Sequence, residues 1–336
     1  MPFLRTLPAI ALLIFAIAAA SYCGGEKAFS PSAGQSRLSN EVAAPLVDHH
    51  QHLLSPAGAE LVNALGRKEK PVTGERLVGM LDAAGIQRAV VLSDAYYFDS
   101  PRNAEAVRDG YTKVRAENDW TAQEVARFPK RLIGFCSFNP LREYALAELE
   151  RCAKSSIFKG LKLHFGSSAV DIKNPKHVET VRRVFEAANS YRLPIIVHVR
   201  ADETYGREHA EVLLNQLLPA APNIPVQVAH LWGGEGFSVD ALVAFADAVS
   251  THHPATRNLY FDVAELALVV GGQRETLQRI ATLIRQIGVD RILYGSDGPV
   301  FGNWPPADAW AAFRKEAPLT DGEFRTITNN IAPYLR

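Results

Sequence analysis

The chain has 336 residues, of which 36 are basic and 36 acidic, so its formal net charge is zero. That balance argues against a nucleic-acid binder, which would carry a basic surplus. With 47% apolar and 21% charged residues the composition is globular rather than disordered, and three cysteines, Cys23, Cys136 and Cys152, are too few for a disulfide-stapled scaffold.

At the start of the chain Arg5 precedes Leu7 to Ala20, an apolar run of 14 residues that ends in small side chains. The run has the length of a signal-peptide core and falls short of the ~20 residues of a membrane span. Residues 1–22 are therefore expected to be an export signal, leading to the periplasm or the exterior. Cys23 is a candidate lipid anchor and would be the only link to a membrane. Tyr22 is bulky where lipoprotein processing wants a small residue, so ordinary cleavage near Ala20 is equally open. Pro8 and the shortness of the run disfavour an uncleaved anchor. Residues 23–43 are rich in Gly, Ser and Pro without periodicity, as in a flexible tether.

The body, residues 44–336, alternates two patterns. Eight short aliphatic runs predict strands: Leu46 to Gln51, Arg88 to Leu92, Leu132 to Ser137, Gly160 to Leu163, Ile195 to Val199, Val226 to Ala229, Leu259 to Val263 and Ile292 to Tyr294. Between them lie helical stripes such as Leu77, Met80, Leu81 and Ala84, then Val178, Val181, Val184, Phe185 and Ala188, then Leu277, Ile280, Ile284 and Ile287. Gly85 and Gly288 are placed to end helices in a left-handed cap. Thr320 and Glu323 form a capping box that opens a closing helix. Strands alternating with helices predict an α/β fold, most simply a (β/α)8 TIM barrel with a C-terminal closing helix, as one domain despite its length. An open doubly wound sheet is the alternative, but its first strand would run into a Gly-rich phosphate loop. Here that strand ends in histidines.

His50 and His52 are two apart in a strand and so point to one face, together with Asp48; His49 is expected to face the helices. His198, His230 and Asp297 fall at the ends of the fifth, sixth and eighth runs. In a barrel those ends meet at one mouth. A lone histidine there is commonly structural, but four histidines and an aspartate at such ends point together to a metal.

These motifs resemble the amidohydrolase superfamily, in its amidohydrolase-related branch. The resemblance rests on the segment from Val47 to His52, Asn118 with Asp119, Phe128 to Gly134, Gly160 to His164, Pro194 to His198, Ala229 with His230, Tyr294 to Pro299 and Asn330. It implies one divalent metal at the barrel mouth bound by His50, His52, His198 and Asp297, with His230 holding the attacking water or binding a second metal. Imidazole nitrogens and a carboxylate suit Zn²⁺, with Mn²⁺ or Fe²⁺ less decisive. Asp297 would double as proton acceptor, and His230 could stabilise an oxyanion. Lys162 is carboxylated and bridging in binuclear members; here it is expected to stay unmodified beside one metal, where it pairs with substrate or a carboxylate. His164, on the same face, contacts substrate or caps the loop. Arg200 is a candidate carboxylate clamp or a solvated loop residue. Tyr96, Tyr97 and Trp232 wall the pocket or pack its rim. Cys136 is expected to be a buried small hydrophobe; a bridge to Cys152, on the following helix, is the lesser alternative.

The expected activity is metal-dependent hydrolysis of a small-molecule lactone, ester or amide. Non-oxidative decarboxylation of a small carboxylic acid by the same metal is the alternative. A binding protein without catalysis is disfavoured because all candidate ligands are present. Self-association stays open.

Overall fold

A computed structural model describes residues 42–103, 108–199, 204–234 and 236–336. The signal and nearly all of the tether, and the clamp assigned to Arg200, lie outside the described residues. The folded body starts at Val42, whose side chain is buried in the core.

Eight parallel strands pair in chain order: β1 (Val47–His52), β2 (Arg88–Leu92), β3 (Leu132–Ser137), β4 (Phe158–His164), β5 (Ile195–His198), β6 (Val226–Val228), β7 (Leu259–Asp262) and β8 (Ile292–Leu293). The last strand returns to the first: His49 N donates to Tyr294 O at 2.8 Å, and Asp297 N donates to His50 O at 2.8 Å. This is the expected (β/α)8 barrel. Both faces of each strand are covered, which is why the strands read as near-continuous apolar runs.

Around it lie α1 (Pro56–Ala64), α2 (Gly74–Ala84), α3 (Gly110–Ala126), α4 (Ala145–Lys154), α5 (Pro175–Ser190), α6 (Arg207–Val212), α7 (Val239–Ser250), α8 (Leu266–Val270), α9 (Arg274–Ile287), α10 (Pro306–Glu316) and the closing α11 (Asp321–Asn329). The predicted stripes are their inner faces: Val178, Val181, Val184, Phe185 and Ala188 of α5, and Leu277, Ile280, Ile284 and Ile287 of α9, are all buried. Gly85 caps α2 with φ +71°; Gly288 has φ +103° but ψ 120°, outside the left-handed helical region. The capping box of Thr320 and Glu323 starts α11.

The barrel interior holds Val90, Leu92, Phe135 and Ile196, with Tyr334 and Leu335 packed against them from the segment after α11. Cys136 is buried as expected but is not free: it is disulfide-bonded to Cys152 of α4, with the Cα atoms 6.3 Å apart. Alternation along β3 turns Phe135 into the barrel and Cys136 outward, onto the buried face of α4 that carries Cys152. A strand-interior cysteine is thus within reach of the helix that covers it.

Candidate metal centre

Between Asp48 and Gln51, β1 carries one residue more than the facing stretch of β2. Such a bulge breaks the alternation and re-aims side chains. Asp48 consequently leaves the face expected for it and accepts hydrogen bonds from Ser296 Oγ (2.7 Å), Gln51 Nε2 (2.8 Å) and His50 N (3.1 Å). His49 is buried and structural: its Nδ1 donates to Tyr294 O (3.1 Å) and its Nε2 accepts from Ala332 N (3.2 Å). Burial lowers its pKa to about 4, in keeping with that neutral role.

His50 and His52 converge as the sequence predicts. Their Nε2 atoms stand 3.0 Å and 3.2 Å from the same oxygen, Asp297 Oδ1. Two acids missed by sequence reasoning hold the opposite ring nitrogens. Asp262, ending β7, lies 3.0 Å from His50 Nδ1, and Asp94, after β2, lies 2.8 Å from His52 Nδ1. With Nδ1 hydrogen-bonded to a carboxylate, as in His50, a neutral imidazole presents its Nε2 lone pair, here toward an oxygen that can only accept. Three such atoms converge only around positive charge, whether protons or a metal ion. Without a metal, burial disfavours charge on His52, but Asp94 and Asp297 outweigh it and raise its pKa to about 9. Ligand atoms ~2.0–2.2 Å from one ion stand about 3–3.5 Å apart, so the spacing also fits a divalent cation. The Asp262 hydrogen bond fixes tautomer and ring plane of His50, as in protein metal sites, while Asp94 faces His52 at ion-pair distance.

Around this cradle Lys162, fully buried on β4, puts Nζ 3.1 Å from His50 Nε2. Burial lowers its pKa against the pull of Asp297, Asp262 and Asp94. His230 is not the last residue of β6 but lies two past it, in a turn where His230, Leu231 and Trp232 have φ of 57°, 52° and 73°. Its Nδ1 is 3.1 Å from the carbonyl of Ala264, which can only accept, so neutral His230 carries its proton there. Its buried Nε2, without a hydrogen-bond partner among the described residues, is then an acceptor. Burial lowers its pKa to about 4, so it stays neutral near pH 7. A neutral acceptor suits water-holding and not an oxyanion donor.

Glu265, also missed, joins His230 and Asp297 in a second compact donor triad. Burial and then Asp297 raise its pKa to about 8. Glu265 and Asp297 have φ of 56° and 58°. Non-glycine residues held left-handed cost on the order of 1–3 kcal/mol each and concentrate at functional sites.

His198 is absent from the compact triads found among the described residues. Its ring centroid lies 4.2 Å from that of His164 and 4.6 Å from that of His230. Gly234 passes so close that a Cβ there would stand 2.5 Å from His198 Nε2. Three of the four expected ligands thus converge, and the fourth stands beside them.

Over the cradle opens a cavity of about 210 Å³ lined by Tyr96, Tyr97, His164, Arg67 and Phe301 among others. His164 both faces it and caps the loop, its Nδ1 accepting from Ser167 N at 3.1 Å. Arg67 donates to Phe301 O at 3.2 Å with its guanidinium over the Phe301 ring. Trp232 does not line it: it is fully buried, packs on Phe245, and donates to Tyr205 O at 2.8 Å.

Comparison with known proteins gives the family and supports the fold. The amidohydrolase family model matches residues 47–330. Among solved structures the chain is similar to 5-carboxyvanillate decarboxylase from Sphingomonas paucimobilis, with 17% identity, a TM-score of 0.59, and 85% of this chain and 97% of that one covered. The manganese-containing 5-carboxyvanillate decarboxylase from Novosphingobium aromaticivorans follows at 13% identity and TM-score 0.57, covering 87% and 97%. The probable 2-pyrone-4,6-dicarboxylic acid hydrolase from Acinetobacter baumannii shares 16% identity at TM-score 0.54, covering 84% and 96%. No curated protein matches the chain. On the strength of the family match, which spans the whole barrel and every residue of the cradle, the chain belongs to the amidohydrolase family.

Proposed function

We propose that the protein is a metal-dependent hydrolase of a small-molecule lactone, ester or amide. The observation that carries this reading is the convergence of His50 Nε2, His52 Nε2 and Asp297 Oδ1, with Asp262 and Asp94 behind the two imidazoles. These three residues would hold one divalent cation, with His198 as the fourth proposed ligand; Zn²⁺ suits the donors first, Mn²⁺ or Fe²⁺ next. When bound, the ion supplies Lewis acidity and lowers the pKa of a water toward neutrality. The protein supplies the rest. His230 Nε2 accepts a hydrogen bond from the attacking water and orients it. Asp297 Oδ2, which accepts from Asn303 Nδ2 at 2.9 Å, is a proton acceptor beside it. Lys162, unmodified, and His164 face the substrate. Arg200 remains a proposed carboxylate clamp.

Decarboxylation of a small carboxylic acid is the second reading. It is favoured by the two basic side chains, Lys162 and Arg67, that line the cavity, and two of the similar structures are decarboxylases of an aromatic acid. Export is proposed as well, supported by the disulfide, which persists in oxidising compartments; lipid attachment at Cys23 belongs to the same proposal.

The test is zinc-loaded protein assayed on lactone, ester and amide panels and, for CO₂ release, on aromatic acids. On a hydrolysed substrate His230→Asn should lower kcat about 10²-fold, as expected when the attacking water is no longer held in place, with zinc content kept. Turnover within a few-fold of wild type removes His230 from the chemistry. CO₂ release without hydrolysis replaces the first reading by the second.

A further inference from the structure

One chain of hydrogen bonds, buried from Gln227 onward, runs through the barrel interior, and the proposed hydrolysis does not use its far end. It begins in the segment after α11, where Tyr334 Oη donates to Gln227 Oε1 at 2.6 Å. Gln227 is fully buried on β6, and its Nε2 donates to Asp262 Oδ2 at 2.7 Å. The same Asp262 oxygen accepts from His50 Nδ1 at 3.0 Å. The other face of that imidazole, Nε2, points to Asp297.

Chemistry fixes the direction of every link. An ionised Asp262 accepts only, so Gln227 must turn its NH₂ toward it and its carbonyl toward Tyr334. A flipped amide would set its oxygen against the carboxylate. Asp262 therefore selects the amide orientation, Tyr334 anchors the amide oxygen that this leaves facing it, Gln227 so held helps fix the Asp262 carboxylate, and Asp262 fixes the tautomer and plane of His50. One contact holds the tyrosine ring and another the backbone two residues before it. Its ring stands edge-on to Phe135 with centroids 5.3 Å apart, and Ala332 N donates to His49 Nε2 at 3.2 Å.

We infer that Tyr334 is a positioning residue for the metal cradle, so that divalent-cation affinity at His50 depends on a hydroxyl three hydrogen bonds away. The inference rests on the reading of His50 as a ligand. Removing a direct outer partner of a metal-ligating histidine costs about 10–100-fold in metal affinity. Tyr334 acts through two further residues, so its hydroxyl should count for less.

The experiment is a Zn²⁺ titration against a chromophoric chelator, on the full chain, for wild type, Tyr334→Phe, Gln227→Met, the double variant and His50→Ala. Thermal melting of the metal-free proteins runs in parallel. His50→Ala should lose zinc at concentrations that saturate wild type. Tyr334→Phe should raise the zinc Kd roughly 3–10-fold and Gln227→Met roughly tenfold or more. The double variant should bind no more weakly than Gln227→Met, since both changes cut one chain. Zinc binding by Tyr334→Phe within twofold of wild type, with His50→Ala defective, overturns the inference and leaves the ligand reading standing; a lowered melting temperature with unchanged Kd overturns it in the same way. Independent, multiplying losses in the double variant also overturn it. Equal zinc binding by His50→Ala and wild type defeats the ligand reading, and this inference with it. Should Tyr334→Phe melt below the titration temperature, Gln227→Met carries the test, because it leaves the tyrosine ring on Phe135.

Discussion

Two parts of the barrel interior are built differently. At the mouth, polar and charged groups crowd together: His50, His52, Lys162 and His230 are buried beside Asp297, and His230, Glu265 and Asp297 hold left-handed backbone. The other part of the interior is apolar: Val90, Leu92, Phe135 and Ile196 pack in regular strands against Tyr334 and Leu335, and Leu92, the last residue of β2, pairs in register with His52. The mouth costs folding energy through desolvated charge and backbone strain, and the apolar part together with the helix layer offsets it. Stability and chemistry are thereby separated within the barrel, so variants in the two parts should fail in different assays.

The largest effect on folding is expected in the apolar part. Phe135→Ala should cost about 3–5 kcal/mol in urea unfolding, while the folded variant still binds zinc at the wild-type stoichiometry when zinc is saturating. Loss of that stoichiometry in a folded variant would break the separation. Next is the helix layer. The Cys136–Cys152 bridge spans 16 residues; its loss in a double alanine variant should cost about 3 kcal/mol by loop entropy, with zinc binding unchanged.

A smaller effect sharpens the comparison outside the barrel interior. Glu117 of α3 is buried and accepts from Ser55 Oγ at 2.6 Å. Burial, opposed by that hydrogen bond and assisted by Asp94, raises its pKa to about 7 from 4.5. Between those values the folded state keeps a proton that the unfolded chain has lost. The contribution is therefore fully present below about 4.5 and is lost as pH rises through about 7. Glu117→Gln should flatten this decline, which is at most about 1.4 kcal/mol per pH unit, without altering zinc binding. Denaturation midpoints from pH 4 to 8 check it; parallel curves for the two proteins would refute it.

Much of this was legible in the sequence. Parallel strands covered on both faces leave unbroken aliphatic runs, and all eight became strands. His50, His52 and Asp297 stood out because a histidine pair, and an acid just past a strand, interrupt such runs. Asp94 and Asp262 were just as visible as acids closing runs, but their partners lie far along the chain, and only the closed barrel shows what each carboxylate holds. The β1 bulge was not legible, because it depends on the neighbouring register, and it removed Asp48 from the expected face. The disulfide was only half legible: burial of Cys136 follows from its strand, but its pairing with Cys152 depends on the phase of the helix that covers it. The chain from Tyr334 to His50 depends on where the segment after α11 packs, which no local pattern encodes.

The central claim is that His50, His52 and Asp297 form the cation site of this barrel. Its most direct test is zinc stoichiometry, by elemental analysis after dialysis, of wild type and of a His50→Ala/His52→Ala variant whose fold is verified by circular dichroism. The account predicts about one zinc per chain in wild type and essentially none in the folded variant. Equal zinc in both would contradict it.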